Sequence, residues 1–333
     1  MNSKKVGATM EIKPGQLFAL VGEELERVEQ SLLDHIDTEV AELAAASVHL
    51  IRGGGKRMRP AFALLIARMF NEAVDSVIPM ATALEMVHMA TLVHDDVIDD
   101  SLLRRGRPTV KAAWGNRISI YAGNYILARA LSLVAAYQRR DLVEVLAQAS
   151  MEVCKGEFRQ MESVYQIEQP PNNYLHRIQS KTALLIAVSC RMGAMLSSAS
   201  PLEVQCSERY GRFLGMAFQI TDDVLDYVAD EATLGKPVGS DIRQGIITLP
   251  ALYALRFSSR RENLRSWIAT PELCELHAEA IVDEVIDSGG IDYALELAGR
   301  YADKARQQLN HLPPGAARES LVDIADFVVQ RSF

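Results

Sequence analysis

Apolar residues of this chain recur at three- and four-residue spacing through most of its length, and no run alternates β-branched and aromatic residues as a strand would. That periodicity predicts an all-α fold. Helices are expected near residues 15–50, 60–70, 79–101, 117–138, 141–164, 172–198, 201–229, 249–258, 271–287, 290–311 and 314–331. Gly53-Gly54-Gly55 breaks the chain before Pro60, Asp75 and Ser76 suit a helix start before Pro79, and Pro170-Pro171 marks a later junction. The segment 230–250 carries Gly235, Pro237, Gly239 and Gly245 without helical period, so it reads as a long ordered loop or lid. Neither a linker nor an internal repeat divides the sequence, and residues 1–333 are expected to form a single domain.

The chain has the apolar content for a large core, with 49% hydrophobic and 23% charged residues. A net charge of −8 argues against nucleic-acid binding through a globally basic surface, so any anion site must be local. The longest unbroken apolar stretches, 61–67 and 183–188, fall far short of the roughly 20 residues that span a bilayer. The polar N-terminus lacks the apolar core of a secretory signal, so a cytoplasmic chain without a transmembrane segment is expected. Cys154, Cys190, Cys206 and Cys274 show neither a C-x-x-C pair nor a histidine at metal-ligand spacing, and are expected to be reduced thiols in the core.

The densest chemistry is at His94-Asp95-Asp96-Val97-Ile98-Asp99-Asp100. Asp95 and Asp99, four apart, project from one helix face, and Thr91 and His88 continue the same stripe backwards. Acids this crowded beside the apolar run 86–93 need solvent or a hard divalent cation with oxygen ligands to neutralise them. Taken alone, the motif could be a solvated helix end. The D-D-x-x-D spacing recurs, however, at Asp222, Asp223 and Asp226, with Gln219 one turn before. On that second helix Gly211 and Gly215 would admit the close approach of a neighbouring backbone, unless they are merely tolerated. Basic residues gather in three short segments: Lys56-Arg57-Met58-Arg59, Arg104-Arg105-Gly106-Arg107, and Lys181 with Thr182. Each could be a solvated surface, but together with the acid motifs they suit a diphosphate, which arginine forks, mobile lysines and a glycine-rich backbone all bind.

In order along the chain, Gly54-Gly55-Lys56-Arg57-Met58-Arg59-Pro60, the aspartate motif 95–99, Arg104-Arg105-Gly106, Lys181-Thr182, Phe218-Gln219, the aspartate motif 222–226 and Gly235-Lys236-Pro237 resemble the all-trans polyprenyl diphosphate synthases, the trans-prenyltransferases. The resemblance covers residues 53–250. It implies an antiparallel helix bundle around one deep apolar cavity, usually paired with a second subunit. It further implies that Lys56, Arg59, His88 and Arg105 bind isopentenyl diphosphate, and that Arg104, Lys181, Thr182, Gln219 and Lys236 hold the allylic diphosphate. Asp95, Asp99 and Asp222 would be the main Mg²⁺ ligands, Asp226 a ligand through water, and Asp96 and Asp223 would orient basic residues. Catalysis would rest on Asp95, Asp99, Asp222 and Lys181: Mg²⁺ and the cations neutralise the allylic diphosphate, its C–O bond breaks, and isopentenyl diphosphate attacks the cation. The lost proton would go to the released diphosphate, with His88 as general base the rival assignment.

The phrasing of residues 93–100, 111–118, 181–190 and 235–239 is similar to the catalytic large subunit of bacterial heptaprenyl diphosphate synthases, which works with a small regulatory partner. A heptaprenyl product for menaquinone side chains is therefore expected, with octaprenyl, geranylgeranyl and farnesyl diphosphate as alternatives, and at most transient membrane contact for product release. A homodimer is the other expected assembly. Ala90 and Thr91 are small where short-chain members carry bulky aromatics, so the growing tail is expected to pass down α-helical turns of about 5.4 Å, roughly one isoprene unit each. Tyr121, Tyr125, Leu127 and Leu131 are candidates for the floor. Asn124 departs from the aspartate usual in the family. A reading from another class, a metal-dependent phosphohydrolase built on His94-Asp95 and His88, would need further histidine ligands that no motif supplies.

Overall fold

The computed structural model describes residues 17–71, 73–229 and 237–330. Its helices in chain order begin α1 (Gly22–Asp34), α2 (Ala41–Arg52), α3 (Met58–Arg68), α4 (Ile78–Ile98), α5 (Val110–Ala135), α6 (Arg140–Glu162), α7 (Pro171–Ile178), α8 (Leu184–Met195) and α9 (Pro201–Val228). Shorter helices at Ser240–Arg243, Leu249–Phe257, Arg261–Ile268, Pro271–Leu276 and Ala278–Asp287 lead to two closing helices, Gly290–Leu309 and Ala316–Gln330. The all-α expectation holds.

α3 lies at the centre. Residues 60–67 are buried on every side, as an all-round apolar helix must be. It packs against α4 and α8; α8 in turn packs on α9, and α9 runs along Gly290–Leu309. The predicted close approach on α9 is present: a Cβ at Gly215 would lie 2.5 Å from the Ala183 Cα, and one at Gly211 2.7 Å from the Ile186 carbonyl oxygen. α9 starts with a complete capping box, in which the Ser200 hydroxyl and the Glu203 carboxylate each satisfy the other's backbone N–H behind Pro201.

Several boundaries differ from those read in the sequence. The expected helix 15–50 is interrupted between Asp34 and Ala41, where the Thr38 hydroxyl accepts the Val40 N–H and turns the chain. The helix expected from 117 starts at Val110 behind a Thr109 cap and bends at Gly115, whose φ is 78°. Arg261–Ile268, a helix the sequence reading missed, buries Leu264 and Ile268 four residues apart. The helix 172–198 contains a π-helical turn at Gln179–Ala183, and 271–287 is split at His277. A two-residue ribbon pairs Leu103–Arg104 with Arg107–Pro108, although no strand pattern foretold it. Turn geometry makes it: Arg105 and Gly106, at φ 54° and 72°, form the left-handed pair that closes tight hairpins.

Residues 230–236, and with them Lys236 and Gly235, lie outside the described residues. The described remainder of the expected lid is tied down: Gly239 N–H donates to the Asp226 carbonyl at 2.7 Å, Tyr165 N–H to the Gly245 carbonyl at 2.9 Å, and Ile242 and Ile247 are buried. Cys190, Cys206 and Cys274 are buried, whereas Cys154 is exposed, contrary to the core reading. It stands on α6 in a stripe with the exposed Met151, Phe158 and Met161, on a face that this chain leaves uncovered. Two helices, Asp75–Ile98 and Val110–Ala135, are long and apolar enough to cross a membrane, which counting unbroken runs overlooked because such windows tolerate scattered polar residues. The first is 72% buried within the protein.

Candidate active site

The C-terminal half of α4 carries the first acid motif into a region shared with α6, the π turn and the ribbon. Asp95 is pushed up to about 7, first by burial and then by Glu157 of α6, with Lys181 opposing. Lys181 Nζ donates to Glu157 Oε2 at 3.0 Å. Asp96 is buried and accepts Arg104 Nε and Nη2 on one oxygen at 2.8 and 2.7 Å, which fixes the hairpin against α4.

Next to this pair lies a cleft of about 40 Å³ lined by Gly53, Gly54, Arg57, Glu85, Asp96, Arg104 and Arg105 among others. The Arg105 guanidinium donates to the Gly54 carbonyl and fills the space where a side chain at Gly55 would stand, since a Cβ there would come within 2.6 Å of Nη1. Burial lowers Arg59 to about 10, with Arg105 beside it pushing in the same direction and Glu85 against it. His88 is held well below the ordinary histidine value by burial, then by Arg59, Arg105 and Arg104. A neutral imidazole results, able to donate one N–H to an anion but a weak proton acceptor.

The second acid motif is wired to the π turn. Thr182 Oγ1 donates to Gln219 Oε1 at 2.6 Å, Gln219 Nε2 to Asp223 Oδ1 at 2.7 Å, and Tyr174 OH to Asp223 Oδ2 at 2.7 Å. Asp223 is raised by burial and by Asp241. Asp226, almost wholly buried, takes the Asp241 N–H on Oδ2 at 2.9 Å. The π turn therefore bridges the two acid helices, with Lys181 beside Asp95 and Thr182 bonded to Gln219. π turns interrupt helices at many functional sites, and here the irregularity carries the two residues read from sequence.

Among the described residues no group of three or more His, Cys, Asp or Glu side chains is close enough to hold an ion alone. The acids crowding Asp95 are all-oxygen donors of the kind a hard cation takes. His94, on which the phosphohydrolase reading relies, has a buried Nε2 with no hydrogen-bond partner, and its ring packs against Gly123.

Ala90 is buried and Thr91 half-buried, its hydroxyl turned back to the His88 carbonyl at 2.7 Å. Of the candidate floor residues, Tyr121 and Leu131 are 57% and 40% exposed, so they face away from the interior. Leu127 is partly buried against the core, and Tyr125 OH is bonded to the Asp37 carbonyl at the surface. An alternation of apolar and polar residues on α5 could not reveal which of its sides turns inward. Asn124 is exposed.

Sequence reasoning missed Glu157, Tyr174 and Glu85. Tyr174 stands two turns before Lys181 and Glu85 one turn before His88, spacings that were open to inspection. Nothing in the sequence links Glu157 to Lys181.

An enzyme that collects arginines, lysine and paired carboxylates at one end of a helix bundle is built to handle diphosphate esters. The polyprenyl synthetase family profile matches residues 40–285, and this chain belongs to that family. It is 42% identical over 317 residues to heptaprenyl diphosphate synthase component 2 of Geobacillus stearothermophilus, covering 95% of this chain and 98% of the relative. The heptaprenyl diphosphate synthase structure from Staphylococcus aureus superposes with a TM-score of 0.86 at 36% identity, over 93% of this chain and 98% of that one. A polyprenyl synthase from Caulobacter crescentus, solved with calcium and isoprenyl diphosphate, gives 0.90 at 36% identity over 96% and 98%. The chain is a prenyltransferase that elongates trans-polyprenyl diphosphates.

Proposed function

We propose that this enzyme condenses isopentenyl diphosphate with an allylic starter, farnesyl diphosphate, to all-trans heptaprenyl diphosphate for menaquinone side chains. The observation that supports the reading most directly is the π turn, which brings the Lys181 charge to Asp95 and bonds Thr182 to Gln219, so that cation and carboxylates share one end of the bundle. Arg104, Lys181, Thr182 and Gln219, with Lys236, bind the allylic diphosphate; Lys56, Arg59, His88 and Arg105 bind isopentenyl diphosphate.

Asp95, Asp99 and Asp222 would hold Mg²⁺, with Asp226 through water, and bound Mg²⁺ supplies the charge that eases departure of the allylic diphosphate. The protein's own part is positional. Lys181 and Arg104 hold the leaving diphosphate so that its oxygen takes the electron pair as the allylic C–O bond breaks. The arginine cleft holds isopentenyl diphosphate with its double bond against the carbocation, where the new C–C bond forms. The proton lost in restoring the double bond passes to the departed diphosphate, because neutral His88 is too weak a base.

The exposed apolar residues Ile120, Tyr121 and Leu131 on α5, with Met151, Phe158 and Met161 on α6, give a face for a second subunit. The relative's designation as component 2 supports a partner chain as its occupant; the motif resemblance makes that partner a small one, and we place the working assembly in the cytoplasm. On this reading the chain is a single catalytic domain.

The test is incubation with farnesyl diphosphate, isopentenyl diphosphate and Mg²⁺, with and without the small partner, followed by diphosphate release and product mass. Turnover to a 35-carbon chain is expected, and Asp95→Ala and Asp222→Ala should each lower kcat by about 10²-fold or more. No turnover under either condition, or full activity in both variants, overturns the reading.

A further inference from the structure

The basic run 56–59 contains two kinds of cation. Arg57, whose side chain is 10% exposed, donates through Nε and Nη2 to both oxygens of Glu29 at 2.7 and 2.9 Å, through Nη2 to the Ile51 carbonyl at 2.9 Å, and through Nη1 to Glu85 Oε1 at 3.0 Å. A guanidinium has five N–H groups, so four are engaged within the protein and little is left for a phosphate. Its backbone is left-handed, with φ 45° and ψ 38°, at the turn that starts α3. Arg57 is thus a strut for the loop that carries Lys56 on one side and Arg59 on the other.

Glu85 completes the strut from α4. It is 3% exposed and lies one turn before His88 on the stripe that leads to Asp95. Oε1 takes Arg57, while Oε2 is buried with no hydrogen-bond partner in the wall of the arginine cleft. Its charge acts on Arg57, Arg59 and Arg105 alike. An unpartnered buried carboxylate oxygen is costly, and a simple structural ion pair would not need one.

We infer that Glu85 is a positioning residue for isopentenyl diphosphate: through Arg57 it fixes the loop bearing Lys56 and Arg59, and with its second oxygen it keeps the Arg59 and Arg105 heads together until a diphosphate replaces it as their counter-ion. The inference rests on the proposed assignment of this cleft to the isopentenyl substrate. Preorganised cations lose less freedom on binding, so the strut acts on substrate affinity rather than on the chemical step.

Steady-state kinetics with each substrate varied in turn tests this. Glu85→Gln and Arg57→Gln should each raise KM for isopentenyl diphosphate about tenfold, while KM for the allylic substrate and kcat stay within roughly threefold. The double variant should be no worse than the poorer single one, because both break one unit. Thermal melting accompanies each measurement; should Glu85→Gln fail to fold, Glu29→Gln loosens the same strut from its half-exposed side and should show the same isopentenyl-specific rise. Equal rises in both KM values, an unmoved isopentenyl KM in folded variants, or additive effects in the double variant overturn the inference. A wild type that turns over no substrate defeats the functional reading instead, so the two failures are distinct.

Discussion

His88 shows how a single side chain acquires its role from what surrounds it. Burial comes first and four neighbouring arginines second, and both oppose a proton on the ring. In the unfolded chain the same imidazole titrates near 6.5, so below about that pH the unfolded state binds a proton that the folded state refuses, and stability falls on acidification. Between pH 7 and 5 the melting temperature of wild type should therefore drop more steeply than that of His88→Gln. The His88 ring C–H resonance of the free enzyme should still be at the neutral position at pH 6; a midpoint near 6.5 would refute the neutral assignment. Roles such as this, or that of Glu157 beside Lys181, were hidden in the sequence because both depend on neighbours brought in from other helices. The acid pairs themselves were legible, since a four-residue spacing on a helix decides by itself that two side chains share a face.

Among the elements, the π turn Gln179–Ala183 depends most on its neighbour. Ala183 rests directly on Gly215, where there is no space for a side chain. Gly215→Val should cost about 1–3 kcal/mol in denaturant unfolding through overpacking, and should lower kcat beyond what the stability loss explains, because it displaces Lys181 and Thr182. An active variant of wild-type stability would show that α9 and the turn adjust freely. α4 offers a second test. If the growing chain runs along its stripe, Ala90→Phe or Thr91→Phe blocks the passage, and mass spectrometry should find a product shorter by one or more isoprene units. An unchanged product from both variants would remove α4 from length control. Gly211 and Gly215 could be read as contact sites from their spacing. The π turn could not, because the hydrogen-bond shift that defines it leaves no trace in apolar periodicity.

For the whole molecule, a net charge of −8 coexists with a cleft lined by Arg57, Arg104 and Arg105, so anion recognition is local, as the balance of charges requires. The uncovered apolar stripes of α5 and α6 belong to this scale as well. Phe158, at 62% exposure, and Met151 and Met161 should be buried in the native assembly. Phe158→Glu with Met161→Glu should release the second subunit in sedimentation experiments, and purification from the native source should yield a stoichiometric small protein; a double variant that keeps its second subunit would refute the surface.

By itself the sequence determined the helical class, the two acid-bearing helices, the three basic segments and their order, because each follows from spacing within ten residues or so along one helix or loop. Tertiary structure alone decided that Arg57 supports its loop while Arg59 is buried within reach of the Glu85 and Arg105 charges, that Tyr121 and Leu131 face outward, and that Glu85 and Glu157 join the site. The physical reason is that a side chain's charge state and partners depend on the low-dielectric, close-packed surroundings formed by remote segments, and no local pattern encodes those.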